Sequence, residues 1–426
     1  LLQIYHFYVF GVSIALQRHK SLRKQGSLFL YLQTQSDNML SFNNTEIAFS
    51  GKTNKDLNRS YWLFKMVSNS TFVSLGKSMT TFAIKTYLPI KGLIKATIFK
   101  QFCGGETIEE CDKTIKELGK FNIGTILDYS VEGKESENDF DACMKETIRT
   151  VERAKNDKNI PFCVFKVTGL ARFELLEKVS AKMTLSPEEQ KEFGKVQLRV
   201  SDICKAAYNA GVPIFIDAEE SWIQNAIDTL ANQMMVLYNT EKAIVYNTYQ
   251  LYRKDRLGFL KQSYDMAKHG NFFLGAKLVR GAYMEKERAR AIAKGYPSPI
   301  QDSKENTDRD YDAAVEFCVE HQDRIAICAG THNELSSMKL ADLMQKKNIP
   351  AGNKHFYFSQ LLGMSDHISY NLANAGYNVA KYVPYGPVRE VLPYLIRRAQ
   401  ENTSVKGQTG RELSLIIKEK ERRKIA

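Results

Sequence analysis

Residues 379–402 read VAKYVPYGPVREVLPYLIRRAQEN: an apolar run that stops at a Pro-Gly turn, followed by a segment of helical pattern. Pro387 suits the first turn of that helix, where a missing N–H costs nothing, and Pro393 is expected to kink or restart it. Tyr394, Arg397 and Arg398 stand at i, i+3 and i+4 and share one face, while Val391, Leu392, Leu395 and Ile396 show that the helix packs. Two guanidiniums on a packed helix just past a strand end make a fork for a carboxylate or phosphate. A solvated basic face is the plainer alternative.

The same strand–helix unit recurs upstream. Apolar runs rich in β-branched residues lie at Ile123–Tyr129, Pro161–Val167, Pro213–Asp217, Ala243–Gln250, Phe273–Val279, Ile325–Gly330 and Phe356–Leu361, with Val379–Pro384 the eighth. Between them lie helical segments such as Phe140–Ala154, Lys191–Asn209, Ser221–Asn239, Leu257–His269, Tyr311–Glu320, Glu334–Lys346 and Ser365–Asn374. Alternation of this kind implies parallel pairing, because parallel strands need a crossover. Eight units close most simply into an α/β fold of the TIM type, a (β/α)8 barrel, expected over 121–415. An open doubly wound sheet is the alternative, but no G-x-G-x-x-G follows any run, which counts against a Rossmann dinucleotide site. Residues 39–120 read as an N-terminal helical arm, with an amphipathic stretch around Tyr61, Trp62, Phe64 and Val67 and another from Phe82 to Ile98 broken at Pro89. Residues 416–426 read as a basic C-terminal tail.

The chain has 426 residues and a formal net charge of +12, from 60 Lys+Arg against 48 Asp+Glu. The basic residues are dispersed, without the dense aromatic-interleaved block of a nucleic-acid binder; weak attraction to an anionic membrane surface is the expected consequence. Seven cysteines without a C-x-x-C pair indicate a reduced intracellular set and no zinc site. Residues 1–38 carry no acid before Asp37 but include Arg18, Lys20, Arg23 and Lys24. They are read either as a segment upstream of a natural start at Met39 or as an organellar transit peptide; their apolar run is too short for a membrane span.

In a barrel the chemistry collects at the C-terminal strand ends. Those ends here carry Asp128, Lys166, Asp217, Gln250, Lys277 with Arg280, His332, Gln360 and Tyr382, nearly all residues that bind or ionise. Lys166 suits a structural ion pair with Asp217 or Glu219, a carboxylate ligand, or a Schiff-base amine. Asp217 sits at a strand end, whereas Glu219 and Glu220 suit first-turn acids favoured by the helix dipole. His332 has no partner at metal-ligand spacing, so a polar cofactor is the alternative to a structural role. In Lys277-Leu278-Val279-Arg280-Gly281-Ala282-Tyr283 two basic groups flank a glycine that permits close approach, which suits an anionic ligand.

Taken together, GAKLVRGAY at 275–283, IDAEE at 216–220, THN at 331–333, QLLGM at 360–364 and YVPYG…PYLIRRAQEN at 382–402 resemble the FAD-dependent proline dehydrogenase (proline oxidase) family, over about residues 40 to 415. The resemblance implies a distorted (β/α)8 barrel that oxidises L-proline to Δ1-pyrroline-5-carboxylate, the first step of proline catabolism, with hydride passing from ring C5 to FAD and a membrane quinone as final acceptor. By the same resemblance, Lys166, Arg397 and Arg398 clamp the substrate carboxylate, Tyr382, Leu361 and Tyr283 wall the pyrrolidine ring, and Asp217 holds the basic clamp. Glu132 matches a residue that closes an ion-pair gate. Gln250, Lys277, Val279, Arg280, Gly281, Thr307 and His332 fall on FAD-contacting positions.

Many bacterial relatives have Arg where Lys277 stands and Lys where Arg280 stands, and Met284 replaces an aromatic residue common in some. Relatives specialised for hydroxyproline carry a smaller residue at the Tyr382 position, so proline is the expected substrate here and a hydroxyproline preference the alternative. A Schiff-base aldolase using Lys166 or Lys277 is a further alternative. With the chain ending at Ala426, a separate pyrroline-5-carboxylate dehydrogenase is expected to take the next step. The location implied is the inner face of a bacterial membrane if Met39 is the start, and the mitochondrial matrix face if residues 1–38 belong to the protein.

Overall fold

The computed structural model describes residues 40–67, 91–131, 135–404 and 408–425, without the side chains of 91, 93, 397–404, 408 and 409. Eight strands form a closed parallel barrel in sequence order, β1 (Ile123–Tyr129), β2 (Phe162–Phe165), β3 (Ile214–Ile216), β4 (Val245–Gln250), β5 (Leu274–Val279), β6 (Ile325–Gly330), β7 (Phe356–Leu361) and β8 (Val379–Tyr385). β8 closes onto β1 with Ile126 opposite Tyr382, and onto β7 with Leu361 opposite Tyr382. Tyr382 therefore stands at the seam, level with the end of β7 and the middle of β1.

Alternation along each strand sends every second side chain into the barrel. Ile126, Phe162, Val164, Phe215, Tyr246, Ala326, Cys328, Ala380 and Tyr382 form one buried cluster. Phe162 stacks on Phe215 at 4.4 Å between centroids, with the edges of Tyr246 and Tyr357 against it. Each such ring contributes about 1.5–3 kcal/mol by leaving water, and together they make a dry aromatic floor. One alternation further along, the same inward parity reaches Asp128, Lys166, Asp217 and Lys277, so the polar residues stand on that floor.

Helices begin earlier than hydrophobic spacing implies because capping residues start them. Glu137–Ala154 is opened by Ser136, Lys304–Glu320 by Ser303, and Pro187–Ala210 by a full capping box of Ser186 and Glu189 with Pro187 at the first turn. Two helices in the connections carry no clear signal in the sequence: Phe173–Ser180 after β2 and Met284–Lys294 after β5.

Helix Val388–Ser404 runs through Pro393 without the restart expected there. The ring of Pro393 is exposed, and buried Leu392, Tyr394 and Leu395 hold both turns against Phe99, Phe102 and Met364. Pro89 lies outside the described residues. The segment read as a basic tail is instead the second half of helix Gln408–Arg422, followed by Arg423. Leu415 and Ile416 are buried with Phe49, Leu57 and Phe64 of the N-terminal arm, and Arg423 donates to the Phe49 and Lys52 carbonyls at 2.8 and 2.7 Å. The apolar face of helix Asn54–Val67 needs that cover, so the two ends of the described chain pack as one layer.

Candidate active site

On one side of the barrel mouth two lysines share one carboxylate. Lys166 Nζ lies 3.1 Å from Asp217 Oδ2 and 3.5 Å from Asp128 Oδ1. Lys277 Nζ donates to Asp217 Oδ1 and, at 2.6 Å, to the Tyr382 hydroxyl, and sits 5.3 Å from the Phe215 ring centroid and 4.7 Å from that of Tyr382. The Tyr382 hydroxyl in turn donates to Asp217 at 3.4 Å, and its ring stacks over Phe215. Lys277 is 4% exposed, so its charge is held almost wholly by these partners.

The electrostatics follow from burial working against charge. Burial alone raises the Asp217 carboxyl, but Lys277 and Lys166 outweigh it and hold the group below the usual aspartate range. Burial works to strip the proton from Lys166, and Asp128 with Asp217 overcomes it, holding the ammonium well above its ordinary value. Burial, followed by the Asp217 charge, keeps the Tyr382 phenol protonated. The described cluster thus balances two ammoniums against two carboxylates around a neutral phenol.

On the other side, Arg280 organises the rim. It donates to Asp308 at 2.7 Å, Thr331 Oγ1 at 2.8 Å and Ser336 Oγ at 3.0 Å, over the Tyr311 ring at 4.4 Å. Thr307 precedes Asp308 in the chain, and His332 follows Thr331. His332 Nδ1 meets Ser365 Oγ at 2.9 Å. Val279 ends β5, and Gly281 follows at φ +139°, where a Cβ would collide with the Tyr252 ring. Gln250 ends β4, opposite Val279. Its Oε1 is buried and finds no hydrogen-bond partner among the described residues. An acceptor of this kind can take a donor from water or from a bound ligand, and the N–H and hydroxyl groups of FAD are donors of the right type. The residues present therefore fit the flavin.

Lys277, grouped with the cofactor contacts by the resemblance, projects into the barrel, where its amine meets Asp217 and the Tyr382 hydroxyl. Leu361 is half-buried against the interior cluster, and Tyr283 opens helix Met284–Lys294. Arg397 and Arg398 stand on helix Val388–Ser404, their side chains outside the described set, as is Glu132 altogether. Glu219 is not a first-turn acid: it is buried and accepts the Thr168 N–H at 3.1 Å and the Thr168 hydroxyl. The cap of helix Ser221–Tyr238 comes from Glu287, whose two oxygens take the Ser221 N–H and hydroxyl at 2.6 Å each. No local pattern signals a cap 66 residues away. Among the described residues no cluster of His, Cys, Asp and Glu is arranged to hold a metal, and no helix is long and apolar enough to cross a membrane.

Fold and site together define a (β/α)8 barrel with a charged cluster, standing on an aromatic floor, at the C-terminal ends of its strands. A sequence model of the family described as proline dehydrogenase matches residues 111–411. The chain is 35% identical to the carbapenem antibiotics biosynthesis protein CarD of Pectobacterium carotovorum subsp. carotovorum, over 84% of this chain and 94% of that one. It is 34% identical to proline dehydrogenase 1, mitochondrial, of Dictyostelium discoideum, over 79% of this chain and 66% of that one. In fold it resembles proline utilization A (PutA) from Bdellovibrio bacteriovorus, with a TM-score of 0.67 at 20% identity over 84% of this chain and 38% of that one. The chain belongs to the proline dehydrogenase family.

Proposed function

We propose that this protein oxidises L-proline to Δ1-pyrroline-5-carboxylate with FAD as the hydride acceptor and a membrane quinone as the final one. The observation that carries the reading is the Lys166–Asp217–Lys277–Tyr382 network standing on an aromatic floor. Bound FAD supplies a two-electron acceptor for the hydride that leaves ring C5, while the ring nitrogen gives up its proton.

The chain's own residues bind and orient. Lys166, fixed by Asp128 and Asp217, offers an ammonium to the substrate carboxylate, and Arg397 with Arg398 from helix Val388–Ser404 completes the clamp. Because the described cluster is neutral by itself, the two guanidiniums supply the excess charge that draws an anion in. Glu132 closes over the substrate. Tyr382 and Leu361, with Tyr283, wall the pyrrolidine ring and fix which carbon faces the acceptor. The Tyr382 hydroxyl is already engaged with Lys277 and Asp217, so the phenol stands rigid where a 4-hydroxyl would need room. This favours proline over hydroxyproline. Gln250, Val279, Arg280, Gly281, Thr307 and His332 hold the flavin, with Lys277 at the border of the two halves.

The same geometry disfavours Schiff-base chemistry. An amine nucleophile must be deprotonated, and Lys166 is held protonated while Lys277 is locked in a buried ion pair. We place the protein peripherally at the inner face of a bacterial membrane or at the matrix face of a mitochondrial one, with a separate dehydrogenase consuming its product. The test is anaerobic addition of L-proline to protein reconstituted with FAD. Bleaching of the flavin absorbance by proline, and much less by 4-hydroxyproline, supports the reading; an unbleached flavin sinks it.

A further inference from the structure

Helix Gln408–Arg422 reaches the flavin side of the rim through two adjacent residues. Arg411 grips Glu334, with Nε 2.8 Å from Oε1 and Nη2 3.2 Å from Oε2. Glu412, 3% exposed, inserts beneath the connection that follows β7 and accepts the backbone N–H of Ser365. His367 lies between these grips, with Nε2 3.0 Å from Glu334 Oε1 and Nδ1 4.0 Å from Glu412 Oε2.

Ser365 is the notable residue in this chain of contacts. It is wholly buried at φ 50° and ψ 42°, a left-handed conformation that serine seldom adopts unless its surroundings hold it. Its neighbour Asp366 is anchored separately, by Lys381 at 2.7 Å and Lys52 at 3.1 Å. Ser365 thus links two elements: its N–H goes to the C-terminal helix, and its hydroxyl meets His332 Nδ1. Mere packing does not call for a carboxylate at 412, because burying one is costly; burial pushes the Glu412 carboxyl up, with His367 partly offsetting this. The sequence match to the family stops at residue 411, so Glu412 lies just past it.

We infer that Glu412 is a positioning residue for the cofactor site: it holds Ser365 in the left-handed turn that presents the serine hydroxyl to His332, and so fixes the imidazole that faces the flavin. This rests on the FAD reading of the rim. Partners that orient a ligating histidine contribute tenfold or more to affinity in metal sites, and a comparable factor is expected here.

The test is titration of apoprotein with FAD, followed by quenching of FAD fluorescence, for the wild type, Glu412→Ala, Glu412→Gln, Ser365→Ala, His332→Ala and the Glu412→Ala/His332→Ala pair. Glu412→Ala and Ser365→Ala are expected to weaken FAD binding about tenfold, whereas Glu412→Gln, which keeps an oxygen for the Ser365 N–H, stays near wild type. In the His332→Ala background Glu412→Ala adds almost nothing, because a residue acting through histidine has nothing left to position. Additive losses, or wild-type binding by Glu412→Ala, overturn the role of Glu412 and leave the flavin reading standing. A wild type that takes up no FAD overturns both. If Glu412→Ala does not fold, Ser365→Ala paired with His332→Ala decides by the same criterion.

Discussion

The side of the barrel mouth formed by Asp128, Lys166, Asp217 and Tyr382 closes on itself, whereas the side reached by Gln250 keeps a buried carbonyl oxygen without a partner among the described residues. Lys277 stands between them and turns toward the closed side. A closed network of charges fixes geometry in advance, so an incoming anion meets ammoniums that need not reorganise. An orphaned acceptor does the opposite: it leaves the empty protein less stable and returns that energy when a ligand donates to it. The closed side suits a small substrate that enters and leaves at each turnover, and the open side a large cofactor that stays.

Removing the hub of the closed side is the severest test. Asp217→Ala leaves buried Lys277 without its carboxylate and half-buried Lys166 with Asp128 alone, at a cost of about 3–5 kcal/mol in unfolding free energy. Its kcat/KM for proline is expected to fall by roughly a thousandfold or more, since ring wall and clamp lose their anchor together. Denaturant titration and steady-state assays read the two effects, and a near-normal enzyme would show that the network is not organised around this residue.

Gly281→Ala tests the open side. At φ +139° an L-residue is strained, and the new Cβ meets the Tyr252 ring. A loss of about 2–3 kcal/mol is expected, with most of the disturbance appearing in FAD affinity because residue 281 lies just past β5. Unchanged FAD binding would remove this turn from the cofactor's path.

Gln250→Leu sharpens the contrast by moving stability and binding in opposite directions. Deleting the orphaned acceptor is expected to raise apoprotein stability by ~1 kcal/mol and to weaken FAD binding about tenfold. A variant that loses both would mean that the side chain is satisfied within the protein, and the two sides would then differ less than proposed.

The barrel is readable in the sequence because eight apolar runs alternate with helical segments, and the rim residues because they end those runs. The parity that buries Val164 and Phe215 also lifts Lys166 and Asp217 to the mouth. Which rim residues meet across the opening was not readable, since that depends on the radial position of strands far apart in the chain. The contact of the Lys277 amine with Tyr382, 105 residues on, is of this kind. Helix Met284–Lys294 was missed because only Glu287 and Ala291 on it are buried, which leaves no apolar period. The C-terminal helix was mistaken for a tail because its many charges mask Leu415 and Ile416.

The smallest expected effect concerns Glu219, which lies just outside the closed network. Burial, eased in part by Thr168 and worsened by the Glu220 charge, raises its carboxyl to about 7 from the ordinary 4.5. The folded protein then binds this proton more tightly than the unfolded chain does. The stabilisation is complete below about 4.5 and disappears as the pH rises through about 7. Between pH 6 and 8 the wild type is expected to lose ~1 kcal/mol through this group, and Glu219→Gln, which cannot ionise, is expected to lack that slope. Thermal unfolding of both proteins across the range reads the difference. Parallel curves would mean that Glu219 stays charged against Thr168, and the ionised network would then extend one residue further from the mouth than the closed side now does.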